Sequence, residues 1–76
     1  MELKLFIDVA IQPERFETIE KVSTKYNLFK KYNIKTIENI ERCDLILFLV
    51  NSRNNLINLN KDHYLFQTVK PVILLE

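Results

Sequence analysis

The longest uninterrupted apolar run in the chain is Leu45-Ile46-Leu47-Phe48-Leu49-Val50, with Asp44 before it and Asn51-Ser52 behind. A strand buried on one face alternates apolar with polar positions, whereas an unbroken run points to burial on both faces. The run therefore predicts a central parallel strand. Residues 2–11 alternate instead: Leu3, Leu5, Ile7, Val9 and Ile11 share one parity, and Glu2 and Lys4 make the start of the other face polar. They predict a first strand that is wet on one side at its beginning.

Pro13 then opens a helix over about 13–26, because proline suits a first helical position whose N–H has no partner anyway. Phe16, Ile19, Val22 and Tyr26 supply its apolar stripe, Glu14 and Glu17 complement its dipole, and Glu17 pairs with Lys21 one turn on. Asn27 is its expected left-handed cap. Residues 28–32 read as a short edge strand guarded by Lys30 and Lys31. Ile34, Ile37 and Ile40 recur every three residues, which predicts a two-turn helix over about 36–43 with Thr36 as N-cap and Glu38 near its start. Leu56, Ile57 and Leu59 would anchor a polar loop. Asn60 would cap a last helix over 61–69, with Leu65, Phe66 and Val69 buried, and Pro71 would end it before a fully apolar strand, Val72–Leu75.

This alternation of strands and helices describes one small α/β domain spanning 1–76, Rossmann-like or flavodoxin-like, with a parallel sheet of about four strands in the order 2-1-3-4. The rival is a ferredoxin-like α+β fold in which 33–41 forms a hairpin strand with 44–51. The apolar fraction of 47% excludes a disordered chain. Glycine is absent, and that removes both the Walker loop and the dinucleotide-binding turn, where backbone must approach phosphate closely. Turns that need positive φ must fall to asparagine, of which there are eight. A net charge of +1 offers no general case for nucleic acid. No run is long enough to span a bilayer, and no leader-like segment opens the chain, so a cytoplasmic location is expected.

In open parallel sheets, ligands bind beyond the carboxyl ends of the strands, where the strand order reverses. That edge would gather Asp8 from the first strand, Asn51, Ser52 and Arg53 from the third, and Asp62 and His63 from the last helix. Asp8 and Asp62 are the candidates for acid–base work. Asn51, Ser52 and Arg53 are the candidates for holding a ligand, Arg53 by paired hydrogen bonds to a phosphate or carboxylate. His63 reads as a surface residue and the single Cys43 as packing; neither has companions for a metal set, and no cofactor is implied.

The run Ile37-x-x-Ile40-x-x-Cys43-Asp44 with the strand to Ser52, followed by Lys70-Pro71-Val72-Ile73, resembles the second half of TIR-like and nucleoside 2-deoxyribosyltransferase-like domains. Asp62 stands nearest the position of those families' catalytic Glu and is one methylene shorter. The resemblance implies a nucleotide- or NAD-related site that breaks or transfers an N-glycosidic bond, or a member without catalysis that binds partners. Two functions are therefore expected: a non-enzymatic module acting by protein contacts or homodimerisation, its apolar Val72–Leu75 edge needing cover, and a site for a nucleotide-derived small molecule.

Overall fold

A computed structural model describes residues 1–51 and 54–75. Its strands are β1 (Leu3–Asp8), β2 (Ile34–Thr36), β3 (Leu45–Leu49) and β4 (Val72–Leu75), joined in one sheet of order β2-β1-β3-β4. All three pairings are parallel, which excludes the ferredoxin-like hairpin. The chain is a small α/β fold of the Rossmann-like kind. Among the described residues, no helix is long and apolar enough to cross a membrane.

The central run sits where its composition demands. Ile46, Phe48, Leu49 and Val50 are buried, flanked by β1 on one side and β4 on the other. Asp44 extends the β1–β3 ladder by one rung: its N–H donates to the Lys4 carbonyl at 2.7 Å, and its Oδ2 accepts the Lys4 N–H at 2.8 Å. At the same end, the Lys70 Nζ donates to the Cys43 carbonyl at 2.7 Å, tying the entrance of β4 to that of β3.

Helix α1 runs from Arg15 to Lys25, with Pro13 and Glu14 in the turn before it, and the Glu17–Lys21 ion pair closes at 3.0 Å on its exposed side. Its inward stripe differs from the expected one. Phe16 and Ile19 face in with the buried Ser23, while Val22 and Tyr26 are exposed. At about 100° per residue, Phe16, Ile19 and Ser23 lie within a narrow arc and Val22 falls on the flank.

The middle of the chain departs most from expectation. Residues Leu28–Lys31 form a helical turn, α2, rather than an edge strand, and the edge strand is β2 at 34–36. Thr36 ends that strand instead of capping a helix, and the Ile37 N–H donates to the Leu5 carbonyl at 2.9 Å. Only a 3-10 turn, Ile40–Arg42, follows, capped by Asn39 Oδ1 accepting the Glu41 N–H at 2.9 Å. The spacing of Ile34, Ile37 and Ile40 thus belongs to three different settings. The expected helix over 61–69 likewise shrinks to a 3-10 turn at Tyr64–Phe66, leaving Phe66 and Val69 exposed, and a single helical turn, α3 (Asn54–Ile57), precedes it. Such short segments carry the cost of helix nucleation with little propagation to offset it.

Asparagine does glycine's work at two of these boundaries. Asn27 and Asn33 have φ of 54° and 55°. Asn33 also accepts the Leu3 N–H at 2.9 Å through its carbonyl and donates its Nδ2 to the Met1 carbonyl at 2.7 Å, so it starts the β1–β2 pairing. Replacing it with alanine forces a Cβ without a compensating amide into the left-handed region, at a cost of about 1–2 kcal/mol. Asn33→Gly avoids that strain. Urea titration is expected to give a clearly lower midpoint for Asn33→Ala than for Asn33→Gly.

Candidate functional site

Asp8 ends β1, at the carboxyl edge where the strand order reverses between β1 and β3. It is half-buried, and both of its oxygens are engaged. Oδ1 accepts the Ala10 N–H at 2.9 Å, the local turn that an aspartate favours at a strand end. Oδ2 accepts the hydroxyl of Tyr64, which arrives from the β3–β4 crossover.

That crossover is seated by aromatic contacts. The Tyr64 ring meets Phe6 edge-on with centroids 6.4 Å apart, and His63 meets Phe48 edge-on at 5.7 Å. His63 and Tyr64 lie against one another at 4.5 Å and 32°. Phe6 and Phe48 sit on the sheet face that the strand register gives to Asp8 and Ile46, so the crossover covers that face. Right-handed connection then assigns α1 to the opposite face, over Leu5, Ile7 and Leu49. His63 Nδ1 accepts the Leu65 N–H at 3.2 Å and so caps the 3-10 turn that presents Tyr64. In a neutral ring this leaves the proton on Nε2.

Burial, the bond to Asp8 and the charge of Asp8 all push the Tyr64 hydroxyl far above the usual tyrosine range, with a further push from Cys43. Tyr64 therefore stays a neutral donor. The pair works as a latch between β1 and the crossover, because the carboxylate has committed its oxygens and the phenol its proton.

The other expected residues meet this edge unevenly. Asn51 follows β3 as placed by the sequence, and its N–H donates to Asn55 Oδ1 at 2.6 Å. Ser52 and Arg53 lie outside the described residues. Asp62 is not in a helix. It occupies an exposed turn in which its N–H donates to Asn60 Oδ1 at 3.0 Å, so the carboxylate lacks the helical mounting expected for it. Cys43 is buried before β3 and its thiol donates to the Ile40 carbonyl at 3.1 Å. Among the described residues no group of three or more His, Cys, Asp or Glu is arranged to hold a metal. Tyr64 is the residue that sequence reasoning passed over: it is one of three tyrosines, and its partner is 56 positions away.

Fold and edge together define a small doubly wound α/β chain whose switch-point acid is held by a tyrosine. No protein-family model matches the chain, and no curated protein or solved structure is significantly similar to it.

Proposed function

We propose that the chain acts through protein contacts, and that its partner is a second copy of itself joined through the β4 edge. The observation that carries this reading is the state of β4. Its four residues are all apolar, it ends the sheet, and Ile73 and Leu74, which point to opposite faces, are each 50% exposed. The other edge is defended in the usual way: β2 has three residues with Lys35 at the centre. Among the described residues of β4 none is charged.

The hydrogen-bond pattern supports a self-complementary register. The Ile46 N–H donates to the Pro71 carbonyl and the Val50 N–H to the Leu75 carbonyl, both at 3.0 Å. By alternation, the backbone groups of Val72 and Leu74 then face the open edge. A two-fold axis at Ile73 would set Val72 of one copy against Leu74 of the other, antiparallel, and join two sheets into one. The exposed surface, 5844 Å², exceeds the about 4,900 Å² of a compact folded monomer of this mass, and Met1, Ile57 and Val69 contribute to that excess along with β4. The radius of gyration, 12.9 Å, likewise exceeds the ~11 Å of a compact chain of this length.

Sedimentation across a concentration series is expected to give twice the 9.1 kDa chain mass at the upper end. Ile73→Lys and Leu74→Lys should each remain monomeric with an unchanged far-UV spectrum. A wild-type monomer at every concentration would sink the proposal.

A nucleotide-derived ligand at the carboxyl edge, held by Asp8, Asn51, Ser52 and Arg53 with Asp62 as the further acid, is the second reading. It draws support from the position of Asp8 at the strand-order reversal, and it requires the Tyr64 latch to open.

A further inference from the structure

Three cations converge on the sheet side away from β4. Lys4 and Lys35 are register partners on neighbouring parallel strands, so their side chains leave the same face about 4.8 Å apart at the backbone. Arg42 reaches them from the 3-10 turn that returns the chain toward β3. Together with Ile37, Glu38 and Asn39 they line a hollow of about 450 Å³.

Like charges directly opposite one another destabilise a strand pair. An edge guard accounts for Lys35 but not for Lys4, which lies on an interior strand. Among the described residues the one carboxylate–cation contact within 4.0 Å is Glu17–Lys21, so none of the three is neutralised by a direct ion pair. The lining sets three cations against one acid, Glu38, and the Asp44 carboxylate, which accepts the Lys4 N–H at 2.8 Å, stands beside Lys4 outside the lining.

We propose that this hollow binds the phosphate monoester of a small molecule with an apolar body. A phosphate monoester carries about −1.5 to −2 charge near neutrality, which suits that excess. Arg42 supplies the planar fork for two phosphate oxygens, and the two lysines supply charge. Asn39 keeps its Nδ2 as a neutral donor, because its Oδ1 is taken by the Glu41 N–H. Ile37 gives the organic part an apolar wall, and the hollow is larger than a phosphate group alone needs. A nucleic-acid strand is the poorer fit: Glu2 and Glu41 flank the cluster in sequence and interrupt any extended basic track.

The test is an amide NMR titration of the isotope-labelled chain with phenyl phosphate, with phenol as the neutral control. Salt-sensitive shifts are expected at Lys4 and across 35–42, none with phenol, and about a tenfold or greater loss of affinity in Lys35→Gln/Arg42→Gln. Without ligand, Lys35→Gln should melt about 2–4 °C higher, because the like-charge pair is gone. Absence of shifts at these amides, or equal binding by the double variant, would overturn the proposal. So would displacement of phenyl phosphate by a short RNA whose affinity grows with length, since that assigns the cluster to a polyanion.

Discussion

Phe48→Ala is expected to bring the chain to the margin of folding. Phe48 is 1% exposed in the central strand, between Ile46 and Leu49 at 0%. Truncating a buried phenylalanine removes transfer free energy and leaves a cavity, together about 3–5 kcal/mol. A domain of this length has about 4–11 kcal/mol in total, so one substitution consumes much of it. The variant also loses the ring on which His63 rests, and with it part of the seat of the β3–β4 crossover. Val22→Ala on the flank of α1 is the matched control, since Val22 is exposed; its effect should stay within about 0.5 kcal/mol. Urea titration at a concentration where the wild type is monomeric compares the two. Similar midpoints for both variants would contradict the assignment of Phe48 to the core.

The same strand explains how much of the architecture was legible. A run of six apolar residues has few uses in a chain this short, and burial between two parallel neighbours is the one that the alternation of elements allows. The strand order followed from that and from right-handed crossovers. The elements of residues 28–42 were not legible, because they are very short and are decided by single asparagine bonds rather than by periodicity. Asn33 turns the chain into β2, and Asn39 starts a 3-10 turn where the isoleucine spacing suggested a longer helix. The position of Asp8 at the carboxyl edge could be read from the first strand, although that strand stops at Asp8 instead of running on to residue 11. Its partner could not, since Tyr64 meets it only after two further strands, β2 and β3, have been placed. The Lys4–Lys35 pair has the same origin: parallel register joins residues that no local pattern links.

Tyr64→Phe is expected to cost about 1–2 kcal/mol at neutral pH, through the loss of a hydrogen bond to a carboxylate, with partial exposure keeping it toward the lower end. The pH dependence reports the protonated hydroxyl that burial and Asp8 together maintain. In the folded chain the hydroxyl is held protonated well above the usual tyrosine range by burial and by Asp8; in the unfolded chain it ionises near ~10. Below that pH both states keep the proton and the contribution is fully present. Above it, the unfolded state binds fewer protons than the folded state, so unfolding stability falls with rising pH. The limit is about 1.4 kcal/mol per pH unit for one group, and a half-exposed phenol stays below it. The stability difference between wild type and Tyr64→Phe should thus be flat to about pH 9 and shrink from there upward. A difference that stays constant to pH 11 would mean that neither burial nor Asp8 holds the hydroxyl protonated. Because this bond also occupies Asp8 Oδ2, Tyr64→Phe is the variant that exposes the switch-point carboxylate. Any response of the carboxyl edge to nucleosides or NAD should be stronger in it than in the wild type, whereas self-association through β4, on the far side of β3 from β1, should be unchanged.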